Sequence, residues 1–450
     1  MKERKRILVI GSGGREYSMV GKLAQSPLVD KIYCAPGNDE MGRIPKTTPI
    51  SDITAKNVLG LRNFALENDV GCIVAGPEDP LVLGASDDFE AAGLNSLGPK
   101  GAAARLEGSK VRAKEFMKRH KIPTAPFIVL ENAVKAKDYF SGTLTEFGKP
   151  KKFPLVIKMD GLAAGKGVRV CYDLVAAIEF LDDILAGKFG EAGNGKIIIE
   201  DCLKGEEASY IVIIDKNGNF ISLASSQDHK LSENDDYDGP RPKRNTGGMG
   251  AYSPAPVVTD AVEKKVRRIV RKVINGMKKE KCPFTGFLYI GLMIKDGKIN
   301  VLEFNVRSGD PETQPILARM KSDFAELIMA ALDGALDKFK IEWDDVPAVT
   351  VALTAEGYSV GKPRKGDVIT GIEDAEKTGA IISFAGVKRN KKGELITNGG
   401  RVLYVTAKGD FPGDFTGAIE KVYEAVGMIH FDGMHYRTDI AKKAINRAAA

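Results

Sequence analysis

The sequence has no pair of neighbouring cysteines. Cys34, Cys72, Cys171, Cys202 and Cys282 stand singly. That argues against a disulfide framework and against a zinc site built from closely spaced thiolates. A reduced, cytoplasmic setting is expected. No apolar run approaches the ~20 residues of a membrane span. The basic start, residues 1–6, leads into an apolar run that stops at Ile10 and meets glycines, so it reads as a buried first strand rather than a signal peptide. No G-x-x-x-x-G-K-[ST] phosphate loop occurs. No Cys–His or Ser–His pair announces a covalent nucleophile. Charge of one sign is not dominant either. Sixty-six Lys and Arg face 60 Asp and Glu, a net +6, which suits phosphorylated small molecules at least as well as nucleic acid.

Glycine, by contrast, is abundant, 49 of 450 residues against a usual ~7 %, and the excess sits in loops where backbone must approach something closely. The length suits about three domains. Hydrophobic content of 43 % and charged content of 28 % mark a globular chain.

The N-terminal hundred residues alternate strand and helix: strands at 7–10, 31–35 and 70–75, helices at 14–25 and 54–68. A parallel sheet follows, with ligands outside the carboxyl ends of its strands. Three loops stand there: Gly11-Ser12-Gly13-Gly14-Arg15-Glu16, Pro36-Gly37-Asn38 and Gly76-Pro77-Glu78-Asp79. The first is an incomplete G-x-G-x-x-G, since Glu16 occupies the place of the third glycine, and nicotinamide binding is disfavoured. Its N–H groups and Arg15 still suit a phosphate. A helix is expected from the Leu106-Glu107-Gly108-Ser109-Lys110 stretch to residue 118, and a domain change at 121–126.

Two strands at 153–158 and 168–170 flank Asp160-Gly161-Leu162-Ala163-Ala164-Gly165-Lys166-Gly167. Small residues with Lys158 and Lys166 beside them read as a flap over phosphates. The strand at 196–203 ends in Glu200 and Asp201. His229, in Gln227-Asp228-His229-Lys230, reads as a hydrogen-bonding partner more readily than as a base. The basic helix at 260–280 has an apolar stripe (Val262, Val266, Ile269, Val270, Val273, Ile274, Met277). Its charges read as a solvated face, because no aromatic residue interleaves them. A hairpin at 287–307 turns at Lys295-Asp296-Gly297-Lys298. On its second strand, alternation places Leu302, Phe304 and Val306 on an apolar face, and Glu303, Asn305 and Arg307 on the other. Glu303 and Asn305 offer the oxygen ligands that Mg²⁺ takes beside phosphates and water. Arg307 suits an anion just beyond. The tail reads as a separate small α+β domain with strands at 346–355, 381–385 and 401–405 and a helix at 415–426.

Together these stretches, with Asn245-Thr246-Gly247-Gly248-Met249-Gly250-Ala251-Tyr252-Ser253-Pro254 and Leu302 to Gln314, closely resemble the phosphoribosylamine–glycine ligase family of ATP-grasp enzymes over nearly the whole chain. The resemblance implies a multidomain α/β and α+β fold: an N-terminal parallel-sheet α/β substrate domain over 1–108, an ATP-grasp body over 109–330 with a mobile lid at about 124–196, and a small C-terminal α+β domain over 331–450. It implies ATP, glycine and 5-phosphoribosylamine as substrates in purine biosynthesis, and Mg²⁺ or Mn²⁺ on Glu303 and Asn305. ATP would meet Lys110, Lys158, Gly161, Gly165, Lys166, Gly167, Glu200, Asp201, Leu203 and Glu207. The other substrates would meet Gly13, Arg15, Asn38, Glu78, Asp79, Lys230, Thr246, Gly309 and Asp310. Arg307 and Asp228 are the catalytic candidates. A monomer without nucleic-acid or membrane partners is expected, with no second enzyme fused behind the tail. Four places depart from the family pattern. Tyr17 stands for a usual His and Ser308 for a common Phe; residues 238–244 are extended; Gly357-Tyr358-Ser359-Val360 lacks the usual Gly-Tyr-Pro-Gly. Tyr17 and Ser308 are expected close to the substrate loops. The Asn245–Ser253 signature argues against a biotin-dependent carboxylase or another carboxylate–amine ligase, and the retained lysines and Glu303 argue against a non-catalytic nucleotide sensor.

Overall fold

The alternating strands and helices at the N-terminus form a five-stranded parallel sheet in the computed structural model, which describes residues 5–162, 167–189, 195–239 and 243–448. The strand Lys5–Gly11 lies between Val29–Pro36 and Cys72–Ala75, with Thr47–Pro49 and Ser96–Leu97 outside them. The strand order reverses at Lys5–Gly11, so a crevice opens at its carboxyl end, where the Gly11, Gly37 and Gly76 loops meet. One helix starts later than expected for a local reason. The helix expected from residue 54 begins at Val58, because Asn57 caps it by accepting the Gly60 N–H at 2.9 Å. The helix expected to reach 118 is Lys110–Arg119, capped by Ser109, whose Oγ accepts the Arg112 N–H at 3.1 Å, and a separate helix, Gly101–Gly108, precedes it.

The central region holds two four-stranded antiparallel sheets. The body sheet runs Phe220–Ser222, Glu206–Ile214, Gly286–Lys295, Lys298–Asn305, and the helix Asp260–Lys279 lays its predicted apolar stripe on the same core. Each such fully buried side chain contributes about 1.5–3 kcal/mol. Asp296 and Gly297 both adopt positive φ (50° and 68°), the geometry of the primed two-residue hairpin turn. The lid sheet runs Phe127–Leu130, Ile197–Asp201, Leu155–Met159, Val168–Cys171. With the helices Ala133–Phe140 and Leu174–Leu185 it closes a core of its own around Tyr139, Leu155, Phe180 and Ile199. The lid therefore extends past residue 196, to Asp201.

The tail is not closed on itself. Its strands Ala348–Thr354, Arg401–Lys408 and Ile381–Phe384 are joined in one sheet by Gln227–Asp228 and Gly250–Ser253 from the central region. The helices Thr313–Arg319 and Phe324–Asp333 pack Ile316, Phe324, Leu327 and Ile328 against Ile7 and Val9 of the N-terminal sheet. The three segments thus share cores as well as linkers. Among the described residues no helix is long and apolar enough to cross a membrane.

Candidate active site

The strand Lys298–Asn305 does not alternate as its sequence suggests. Gly291 pairs with Glu303 but Leu292 pairs with Val301, so Leu302 is an extra, bulged residue. The buried face is Ile299, Val301, Phe304 and Val306, and Leu302 is only partly buried. A bulge re-aims side chains and backbone near a site. Here it keeps Glu303 and Asn305 opposite the core, and the Leu302 carbonyl lies 3.5 Å from Lys158 Nζ.

Glu303 faces Lys230, with Nζ to Oε1 at 3.4 Å. That ammonium above all, with Lys158 and Lys110 further off, overcomes burial and holds the carboxyl at about 2, ionised at neutral pH. Lys230 also reaches Glu207 at 3.2 Å. The two carboxylates outweigh its burial and raise its proton affinity well above the ordinary. Beside it, burial lifts the Asp228 carboxyl to about 7, with Lys230 opposing. Thr246 fixes this loop by donating its N–H and Oγ to the Lys230 carbonyl at 2.8 and 2.9 Å. Gly248, with φ +111°, follows, and a Cβ there would stand 2.4 Å from Pro311.

Lys110 starts its helix at the mouth of the flap and donates to the Gly161 carbonyl at 2.7 Å. Asp160 binds the same helix end through the Val111 N–H and Ser109 Oγ, both at 3.1 Å. Burial lowers the proton affinity of Lys110. Gly167 closes the other flap end, its carbonyl taking the Met159 N–H at 2.8 Å; Gly165 and Lys166 lie outside the described residues. Lys158 sits 2.6 Å from Glu200 Oε1. Glu200 is fully buried between Lys158 and Lys114, so its side chain is spent on lysines. Asp201 pairs with Lys151 at 2.6 Å, and Leu203 is half-buried just beyond.

Arg307 is fully engaged rather than poised for an anion. Its Nε donates to Glu78 Oε2 at 2.9 Å, its Nη2 lies 3.1 Å from Glu107 Oε1, and its Nη1 donates to the Ser308 carbonyl at 3.1 Å. Nη2 also points at Asn305 Oδ1, 3.5 Å away. Burial alone would raise the Glu78 carboxyl, but Arg307 and then Arg15 bring it to about 2. At Glu107 burial wins against Arg307 and lifts the carboxyl to about 7.

In the N-terminal crevice several expected contacts are already used. The Gly13 N–H donates to Glu16 Oε2 at 2.7 Å. Arg15 pairs with Glu16 at 2.6 Å and donates to the Ser308 carbonyl at 3.1 Å. Glu16 thus fills the space that a dinucleotide loop leaves for a ligand, and a Cβ on Gly76 would stand 1.9 Å from its Oε1. Asn38 caps the Asp39–Arg43 turn and donates to the Ser12 and Phe384 carbonyls at 2.9 and 3.2 Å, so its amide braces the tail against the crevice. Asp79 pairs outward with Lys56 at 3.1 Å. The Gly309 carbonyl takes Thr313, and Asp310 is held by Gln314 and Arg401, both at 3.0 Å. Tyr17 packs edge-on against Phe384, centroids 5.4 Å apart; it belongs to the contact with the tail rather than to a substrate loop. Ser308 is buried with no partner for its Oγ among the described residues. His229 is buried beside Tyr252, both ring nitrogens lacking a hydrogen-bond partner among the described residues; burial pushes it down to about 3, so the ring is neutral.

The sequence reading missed Glu16, Glu107, Lys114 and Arg401. Lys114 carried a signal, since it follows Lys110 by four residues and so shares its helix face. Arg401 carried none, because only the fold brings it to Asp310.

Among the described residues no group of three or more His, Cys, Asp or Glu gathers to hold a metal. Glu303 and Asn305 nonetheless fit a cation that takes one or two protein oxygens and completes its shell with phosphate and water: one is ionised, and both stand on the non-core side of one strand. Two antiparallel sheets, with Lys158 on the lid sheet, Lys110 and Lys230 on an adjoining helix and loop, and a carboxylate–amide pair on the edge strand of the body sheet, define the ATP-grasp class.

Family models place the particular family. The phosphoribosylglycinamide synthetase N domain matches residues 5–107, its ATP-grasp (A) domain 108–313 and its C domain 348–443. The phosphoribosylamine–glycine ligase of Neisseria meningitidis serogroup A is 48 % identical over 98 % of this chain and 100 % of its own. The crystal structure of the Thermotoga maritima phosphoribosylamine–glycine ligase superposes with a TM-score of 0.80 at 33 % identity, over 96 % of this chain and 99 % of its own. The chain belongs to the phosphoribosylglycinamide synthetase family. At 16 % identity and a TM-score of 0.69, the biotin carboxylase domain of Hydrogenobacter thermophilus 2-oxoglutarate carboxylase shares the fold, over 96 % of this chain and 92 % of that one.

Proposed function

We propose that this protein joins glycine to 5-phosphoribosylamine, converting ATP to ADP and phosphate and yielding glycinamide ribonucleotide, a step of purine biosynthesis. The observation that carries this reading is the full-length relationship to proteins named for that ligation. The cleft supports it through Lys110, Lys158 and Lys230 gathered around an ionised Glu303.

The glycine carboxylate is a poor acyl donor. Its oxygen attacks the γ-phosphorus, ADP leaves, and glycyl phosphate results. The ribosylamine nitrogen then attacks the carbonyl carbon, phosphate leaves, and the amine gives up a proton. Such transfer needs positioning and charge neutralisation more than a protein nucleophile. Lys110, Lys158 and the Gly161–Gly167 flap hold the phosphates, and Glu207 the ribose. Asp228, near 7, is suited to accept the amine proton. Glu303 and Asn305 would hold Mg²⁺ or Mn²⁺, which when bound would supply further neutralisation of the phosphates. Arg307, pinned by Glu78 and Glu107, organises the crevice where the Arg15, Glu78 and Asp310 loops receive the phosphoribosylamine. The flap closes to keep water from the acyl phosphate. The protein works as a cytoplasmic monomer on small molecules, without nucleic acid; the five cysteines, all unpaired, support a reducing setting.

The test is phosphate release from ATP with Mg²⁺, with glycine and freshly made phosphoribosylamine each added or omitted. Release that needs both is expected. Release independent of phosphoribosylamine, or none in the full mixture, refutes the reading.

A further inference from the structure

Lys114 has no part in the function proposed above, yet it is one of the most enclosed charges in the molecule, 2 % exposed. It projects from the helix Lys110–Arg119 to the two places where the chain crosses between body and lid. Its Nζ lies 2.7 Å from Thr124 Oγ1, where the chain enters the lid, and 2.7 Å from Glu200 Oε2, where it leaves. Thr124 in turn donates to the Val301 carbonyl at 2.7 Å. The other Glu200 oxygen is 2.6 Å from Lys158, which also faces the Leu302 carbonyl. One carboxylate therefore sits between two ammonium groups, one from the body and one from the lid.

We infer that Lys114 is a positioning residue: by holding Glu200 and Thr124 at the hinge, it presents Lys158 to the phosphates of the nucleotide. The inference rests on the ATP reading proposed above. A buried carboxylate left with a single lysine draws that lysine wholly onto itself. Shared between two, it neutralises only one of them, and the trio keeps a net positive charge. Buried charge demands compensation, and an arriving phosphate supplies it. Burial and then the charge of Lys158 lower the proton affinity of Lys114 to about 8, as this crowding requires. The chain passes between body and lid at these two crossings, so a tie to both sets where the lid lysine points.

The test is Mg²⁺–ADP affinity measured by calorimetry on the full chain. Lys114→Met keeps the length and removes the charge. It is expected to weaken ADP about tenfold, which is ~1.4 kcal/mol. The readout that a merely structural role would not move is the double-mutant cycle. Added to Lys158→Met, Lys114→Met should cost less than a further twofold, because its effect passes through Lys158. A full additional tenfold loss overturns the inference. Should Lys114→Met fail to fold, Thr124→Val removes the second acceptor of Lys114 together with the hydroxyl donated to the Val301 carbonyl, and a loss of about threefold is expected; unchanged ADP binding there overturns the inference. Absence of ADP binding by the unaltered protein refutes the ATP reading itself. Binding by the unaltered protein that Lys114→Met leaves within twofold overturns only the role of Lys114.

Discussion

Arg307→Lys is the change that separates an organising arginine from a free anion binder. The guanidinium uses three nitrogens in three directions: Nε to Glu78 at 2.9 Å, Nη2 to Glu107 at 3.1 Å and Nη1 to the Ser308 carbonyl at 3.1 Å. A single ammonium cannot span these positions. Lysine keeps one carboxylate and loses the other, together with the carbonyl. Each hydrogen bond to a charged group contributes about 1.5–3 kcal/mol. Part of that loss is recovered, because Glu107 is already near 7 and protonates once abandoned. A net loss of about 2–3 kcal/mol remains, which for domains of this size lowers Tm by roughly 5–10 °C. Thermal unfolding followed by fluorescence, with kcat/KM measured in parallel, is the assay. Loss of both stability and at least tenfold in kcat/KM is expected. A Tm within about 2 °C of the unaltered protein would show that the three-way engagement does not organise the crevice, and the reasoning would fail. A lowered Tm with kcat/KM within about twofold would leave a strut with no bearing on substrate.

Glu303→Gln keeps the shape and removes the charge that suits a cation, so the Mg²⁺ concentration for half-maximal rate should rise at least tenfold; an unchanged metal dependence removes Glu303 from that role. Glu78 gives a pH prediction with a definite sign: its carboxyl falls from about 4.5 in the unfolded chain to about 2 in the fold, so its stabilisation is present above pH 4.5 and lost as pH falls from there towards 2. The Tm gap between the unaltered protein and Glu78→Gln should be steady above pH 5 and shrink towards pH 3, and a gap that widens on acidification contradicts it. Gly248→Ala places a methyl 2.4 Å from Pro311 at a φ of +111°. Strain of about 1–3 kcal/mol at such a backbone adds to the clash, and Tm should drop by several degrees; an unchanged Tm means the signature loop can move aside.

Most of the fold was legible where one local rule dominated. The alternation of strands with helices marked the N-terminal sheet, the apolar stripe marked the Asp260–Lys279 helix, and Asp296-Gly297 marked its hairpin turn. What failed needed partners distant in sequence. Leu302 fits an alternating strand, and only the pairing of Gly291 with Glu303 and Leu292 with Val301 exposes the bulge. The tail read as separate because nothing in 346–355 announces that Gly250–Ser253 lies beside it. Of the site, the residue types were legible and their engagements were not. Glu200 and Arg307 looked available from sequence, since an ion pair to Lys114 or Glu107 leaves no mark on the local pattern.

Those engagements share a physical logic. Lys230 rests on Glu207 and Glu303, Lys158 on Glu200, Arg307 on Glu78 and Glu107, and Arg15 on Glu16. Without substrate, each of these four cations has a carboxylate partner, so this part of the fold is not burdened by uncompensated charge. ATP then has to compete with carboxylates that are already in place, and part of its attraction to the lysines is forfeited. The return is geometric. Donors held in position do not have to be ordered when charge moves onto the phosphate oxygens, and preorganisation of that kind is where most electrostatic stabilisation of a transition state arises. On this account neutralising a partner carboxylate should tighten nucleotide binding and slow turnover together. The Lys158–Glu200 pair is the place where that divergence should be largest, because both of its groups are almost fully enclosed.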